Sequence, residues 1–381
     1  MKIGILTFHC ADNYGAVLQC YATQEFLKSQ GHDVSVIDYR PDYLLRPYRL
    51  IHTRRIACGN PLRAMVNLIK EFIHLPKRYF LKRGYRRFCN DKLSLTDTVT
   101  HATIPSSFDA YVVGSDQIWN PKLTQGFDDV YFCRFPFAKG DRKYIAYAAS
   151  MEAKALDVTA EQYYRTTLQQ FDALSVREQP LQQLLQPLIS QSITQVLDPT
   201  LMVTPSVWDS LSAKVRLPQK YVLVYQGRSS DHTLRIARDI ARQLDAKVVV
   251  LGTWVSFDRK LTYRSVSPEG FIHAVRHAAC VVTTSFHGTA FSIIFNRPFY
   301  TVRLNDGADS RSQSLLTMLG LQHRMIDVTS TPSFSSIDYT SANARLDDLR
   351  EVSHILVSAS WSSSRPGVFR SHFAIANLKI R

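Results

Sequence analysis

Residues 1–41 read "MKIGILTFHCADNYGAVLQCYATQEFLKSQGHDVSVIDYRP". Lys2 to Phe8 form a short apolar run with β-branched residues, followed by the polar, glycine-bearing stretch "HCADNYGA". Val17, Leu18, Tyr21, Ala22, Phe26 and Leu27 then recur at helical spacing as far as Gly31, which reads as a helix C-cap. "HDVSVIDYRP" alternates as a strand does and is closed by Pro41. Strand, loop, helix and strand in this order make a βαβ unit, whose two strands lie parallel in one sheet.

The unit recurs along the chain. Strands are expected at Ala110–Val113, in "YIAYAAS", in "FDALSVRE" and at Gln195–Leu197, and "QPLQQLLQPL" reads as a helix. Pro205 and Pro218 bracket a seam, and from Tyr221 the alternation restarts: "YVLVYQG", helix, "KVVVLGT", helix, "CVVTTS", the helix "GTAFSIIFN" and "FYTVR". A chain of 381 residues exceeds the usual size of one domain. The expected architecture is therefore α/β, with two Rossmann-like domains facing each other across a cleft. The first spans 1–204 with an insert at about 42–100, the second spans 218–345, and the tail 346–381 is expected to cross back to the first.

With 45% hydrophobic and 20% charged residues the composition is that of a folded globular protein. No window reaches 18 uncharged apolar residues and the first residues do not read as a secretory signal, so the expected location is cytoplasmic. Cys10, Cys20, Cys58, Cys89, Cys133 and Cys280 form no C-x-x-C pair and have no histidine at ligand spacing, so neither a metal site nor a disulfide framework is expected. The net charge of +14 is unevenly spread. Between Pro41 and Asn90 stand Arg46, Arg49, Arg54, Arg55, Arg63, Lys70, Lys77, Arg78, Lys82, Arg83, Arg86 and Arg87 against Asp42 and Glu71. Such a focus of positive charge attracts polyanions, and it also serves plain solubility.

In open parallel sheets ligands bind beyond the carboxyl ends of the strands, so chemistry is sought in the loops there. In the first loop, Asn13, Tyr14 and Gly15 precede a helix whose amides can take an anion. Gly15 as a tight turn and Asn13 as a cap explain the same residues. In "VVGSDQIWNP", Ser115, Asp116, Gln117, Trp119 and Asn120 suit a sugar, with an indole to stack on the ring and a carboxylate to accept hydroxyl protons. An N-cap at Ser115 or Asp116 and a core Trp119 are the alternative. In "CVVTTSFHGTA" (280–290), His287 stands between a strand and a helix expected to start at Gly288, where imidazole can bind a phosphate or move a proton. Arg228, Arg303, Arg311 and Arg177 lie in loops that could reach the same anion.

"DNYGAVLQCYAT", "YVVGSDQIWNP", "YAASM", "LSVRE", "VLDPTLMV" and "VVTTSFHGTAFSIIFNRPF", in this order and spacing, resemble the polysaccharide pyruvyl transferase family over roughly residues 1–40 and 105–325. The resemblance implies a glycosyltransferase B-like fold with the acceptor on the first domain and phosphoenolpyruvate on the second. It implies transfer of a pyruvyl group to two hydroxyls of a sugar in a cell-surface glycan or its lipid-linked precursor, forming a cyclic ketal. Phosphoenolpyruvate is then the donor substrate and no further cofactor is expected. His287 falls on the family histidine, with Phe286 and Gly288 as donor contacts. Where some members carry an arginine two residues earlier, this chain has Ser285, and Arg228 or Arg311 is the candidate to replace it. His287 is expected to act as general acid or phosphate ligand and Asp116 as base or hydroxyl orienter.

The insert lies outside the resemblance. Its "KEFIHLPKRYFLKRGYRRFC" interleaves Phe72, Ile73, Leu75, Tyr79, Phe80, Leu81, Tyr85 and Phe88 with Lys and Arg, a pattern suited to peripheral contact with an anionic membrane at its cytoplasmic face. Two rival functions are weighed. A sugar-nucleotide glycosyltransferase of the same fold would want a ribose-binding carboxylate, and Gly288–Pro298 has no acid. A nucleic-acid-binding protein would want a recognition signature, and none is present, so no nucleic-acid partner is expected.

Overall fold

Among the described residues thirteen strands build two sheets, and every pairing in both is parallel. The computed structural model describes residues 1–51, 61–152, 155–252 and 261–361. The first sheet has the order β3-β2-β1-β4-β5-β6-β7. Its strands are β1 (Lys2–Leu6), β2 (Asp33–Tyr39), β3 (Leu95–Val99), β4 (Ala110–Val113), β5 (Lys143–Ala149), β6 (Ala173–Val176) and β7 (Ile193–Gln195). The second has the order β10-β9-β8-β11-β12-β13. It comprises β8 (Tyr221–Tyr225), β9 (Lys247–Leu251), β10 (Leu261–Arg264), β11 (Cys280–Thr283), β12 (Phe299–Arg303) and β13 (Met325–Asp327). The chain thus forms two parallel-sheet α/β domains, the glycosyltransferase B-like architecture expected.

Central strands are apolar throughout because helices cover both faces of a parallel sheet. β4, β6, β8 and β11 are buried at every residue. The strands that the sequence pattern missed or displaced are all at edges. β3, β10 and β13 have no continuous apolar run, and β7 lies two residues before the expected Gln195–Leu197. An edge strand is covered on fewer sides, so burial imposes less pattern on it.

Tyr14 joins the halves. Its ring stacks on Phe271 with centroids 4.6 Å apart, and its hydroxyl donates to the Val266 carbonyl at 2.9 Å. One apolar cluster runs through this junction, including Trp208, Phe271 and Phe291. The insert is built into the first sheet rather than hung on it. Helix Pro61–Lys92 leads into β3, which pairs with β2, and Tyr85 and Phe88 of that helix are core residues. These two side chains therefore cannot meet a membrane, contrary to the sequence expectation. Arg54 and Arg55 lie outside the described residues, as do the side chains of Arg63 and Lys70. Helix Thr340–Trp361 lies against the first half: Ser353 Oγ accepts from Leu197 N at 3.2 Å and Arg350 Nε donates to Leu201 O at 2.6 Å. Residues 362–381 lie outside the described residues.

Candidate functional site

β11 ends at Thr283, and the helix after it spans Phe286–Ile294, two residues earlier than the pattern suggested. Ser285 is its N-cap, its Oγ accepting from Gly288 N at 3.5 Å. His287 accordingly sits inside the first turn rather than before it, and it is buried. Its ring lies directly against Gly15, in the first turn of helix Tyr14–Ser29. A Cβ on Gly15 would lie 2.5 Å from His287 Cε1 and Cγ and closer still to Nδ1. Glycine is required there because a strand-end loop of each half meets its counterpart backbone to ring. A Cβ on Gly288 would meet Thr283, so this glycine serves helix–strand packing.

On its other side the imidazole faces Asp198, with 3.7 Å between Nε2 and Asp198 Oδ2. Nε2 is buried and has no hydrogen-bond partner. Asp198 follows β7 and caps helix Pro199–Met202. Its Oδ1 accepts from Thr200 N (3.0 Å) and Oγ1 (2.7 Å), and its Oδ2 accepts from Arg177 Nη1 at 2.7 Å, with Ser115 Oγ at 3.1 Å. Burial alone would raise the Asp198 carboxyl. His287, Arg177 and the Thr200 hydroxyl outweigh it and hold the group well below the usual carboxylate range.

Arg177, at the end of β6, is fully enclosed. Besides Asp198 it donates to Glu178 Oε1 (3.2 Å) and Ser150 Oγ (2.9 Å), approaches Asp116 at 4.0 Å and lies 4.2 Å over the Phe286 ring. Glu178 has no exposure. Burial raises its carboxyl above the ordinary value against the opposing pull of Arg177, and its Oε2 has no partner. Arg311 completes the group. It makes no ion pair among the described residues, and its Nε is buried without a partner. Burial, reinforced by the neighbouring Arg177 charge, lowers its guanidinium from the ordinary value. A guanidinium with an unmet buried donor beside a second guanidinium has the chemistry to take an anion.

The family model for polysaccharide pyruvyl transferase matches residues 13–306, the bulk of the chain and every site residue just described except Arg311. The chain belongs to this family. No curated protein matches the sequence. Among solved structures, the chain is similar to UDP-N-acetylglucosamine 2-epimerase from Rickettsia bellii, at 10% identity and TM-score 0.42, over 92% of this chain and 88% of that one. It is also similar to the UDP-GlcNAc 2-epimerase from Neisseria meningitidis, at 8% identity and TM-score 0.45, over 95% and 94%. The spinosyn forosaminyltransferase matches at 12% identity and TM-score 0.38, over 94% of each.

Within this family member the expected residues divide. Ser115, Asp116, Phe286, His287 and Arg311 converge, with Gly15 as the wall behind the imidazole. Asp116 has φ 70 and takes the Gln117 amide on Oδ1 at 2.9 Å. Trp119 does not reach the site: it is buried, donates to Tyr131 O at 3.0 Å and stacks on Phe132, so it is core and cannot stack on a sugar. Asn120 caps the short helix Pro121–Thr124 and holds Gln117 Oε1 at 2.8 Å. Asn13 caps helix Tyr14–Ser29. Arg228 is neutralised by Asp306 and by Asp309 (2.8 Å), whereas Arg311 has no ion pair among the described residues. Arg303 pairs instead with Asp327. Asp198 was not singled out from the sequence, although the "LDP" break after a strand was its only local signal. No group of three or more His, Cys, Asp or Glu is arranged to hold a metal among the described residues.

A cleft of 630 Å³ opens beside this centre, between the halves. Tyr14, Tyr48, Tyr85, Tyr225, Arg49, Arg78, Lys82 and Asp12 line it. Tyr48 reaches Asn13 and faces Asp116, and Tyr225 meets Ser285, so these two phenols stand between the cleft and the buried ionic network.

Proposed function

We propose that this family member transfers pyruvate from phosphoenolpyruvate to two hydroxyls of a sugar in a glycan or lipid-linked oligosaccharide. Two C–O bonds form at the donor C2, the methylene C3 gains a proton to become methyl, and the C2–O bond to phosphate breaks. Of the two hydroxyl protons, one is matched by that gained at C3 and the other leaves with phosphate. The observation that carries the reading is the buried His287 Nε2, unpartnered, 3.7 Å from the ionised Asp198. An imidazole nitrogen left without a protein partner there suits proton transfer or a phosphate contact. Arg311 suits the donor's negative charge, and Asp116 suits an acceptor hydroxyl. Asp198 and Arg177 act as positioning residues, since each is saturated by protein partners. The reaction proceeds in the cytoplasm, where phosphoenolpyruvate is made.

The test is phosphate release from phosphoenolpyruvate with galactosides, glucosides and mannosides, beside His287→Ala. Acceptor-dependent release by the wild type and its loss in the variant are expected. Release by both at one rate, or by neither, overturns the reading. Melting-temperature shifts with phosphoenolpyruvate against a panel of UDP and GDP sugars separate it from sugar-nucleotide transfer.

A further inference from the structure

Helix Pro61–Lys92 has two unlike faces. Inward, Glu71, Tyr85 and Phe88 are buried, while Arg78, Leu81 and Lys82 line the cleft. Outward, Met65, Val66, Leu68, Ile69, Phe72, Ile73, Tyr79 and Phe80 are all exposed, Phe72 at 60% and Phe80 at 66%. At 3.6 residues per turn they fall within roughly 160° of the helix circumference and run for about 22 Å along it. Water-soluble surfaces rarely expose so many large apolar side chains in one strip. The strip does not end in neutral residues. The same face continues into Arg83 and Arg86, both exposed, in a segment that carries ten of the chain's net positive charges, while Arg87 pairs with Glu269 at 3.6 Å.

From this geometry we infer that the outer face of the helix docks on an anionic lipid surface. Its apolar strip enters the headgroup boundary, and the arginines meet lipid phosphates. Apolar area joined to cationic ends is what such a surface binds, and the charge selects anionic over zwitterionic lipid. The opposite face of the same helix is a wall of the cleft, so docking holds the cleft mouth at the membrane, where a lipid-linked acceptor would be met. The face differs from the one the sequence suggested, because Tyr85 and Phe88 point into the core.

Flotation of the full chain with mixed phosphatidylglycerol and phosphatidylcholine vesicles tests this without any substrate, so its failure is independent of the pyruvyl-transfer reading. Binding to the anionic vesicles and little to phosphatidylcholine alone is expected. Phe72→Asp with Phe80→Asp lowers partitioning about tenfold or more, and Arg83→Gln or Arg86→Gln lowers it about fivefold each. Leu123→Asp, an exposed apolar site elsewhere, leaves it unchanged. Four results overturn the inference: no flotation, flotation indifferent to Phe72→Asp with Phe80→Asp, displacement by nucleic acid with no lipid binding, or a dimer that this double variant dissociates, which would make a second copy the occupant.

Discussion

Replacing Gly15 by alanine changes one methyl group on a side of the site that carries no titratable chemistry of its own. The new Cβ would stand 2.5 Å from two atoms of the His287 ring and closer still to Nδ1, whereas ordinary contact begins at 3.4 Å, so the ring must retreat, or the halves must part, by more than ~1 Å. Misplacing a reacting group by about 1 Å lowers a rate about 100-fold, equivalent to about 2.7 kcal/mol of lost transition-state stabilisation. The folded state is strained as well, by about 1–3 kcal/mol for an overpacked contact. Phosphate release gives the rate, and urea unfolding gives the stability of the same preparation. Gly15→Ala combined with His287→Ala should be no slower than His287→Ala, because both act through one ring. A Gly15→Ala enzyme retaining wild-type turnover would refute the placement of His287 at the reacting centre.

Asp198→Asn should lower stability by about 3–5 kcal/mol, because it leaves Arg177 and His287 facing an uncharged group in a buried setting; urea unfolding measures it. The depressed Asp198 carboxyl contributes stability that is present above its unfolded value near pH ~4 and is lost as pH falls toward its folded one. Unfolding followed downward from pH ~5 should therefore steepen in the wild type and less so in Asp198→Asn. Trp119→Phe should reduce stability by about 2 kcal/mol and leave the acceptor KM unchanged; a raised KM with intact stability would return the indole to the sugar site. Tyr14→Phe should lower stability by about 1 kcal/mol through loss of the bond to Val266, with the stack on Phe271 retained and Tyr14→Ala several-fold worse on the same urea curve.

Much of the fold was legible because a strand covered on both faces must be apolar along its length. β1, β4, β8, β11 and β12 announce themselves in this way, and the loops after them are where a parallel sheet exposes its helix N-termini. The edge strands β3, β10 and β13 were not legible, since an edge is only partly covered. At the site, His287 could be found because a polar residue interrupts two apolar runs. Trp119 was misread because an aromatic beside an acid suits a sugar and a core equally, and only Tyr131 and Phe132 decide between them.

By itself the sequence determined the βαβ alternation, the two halves, the family motifs and the histidine, all of which follow from local periodicity and short spacing. Tertiary structure alone decided that Asp198, Arg177 and His287 share one buried network, because they follow three strands brought together by sheet order and domain contact rather than by proximity in the chain. It also decided which face of helix Pro61–Lys92 is core and which is bare. Helical period sorts residues into faces, but only the packing of that helix against Tyr14, Tyr21 and helix Pro268–Arg276 says which face the protein already uses.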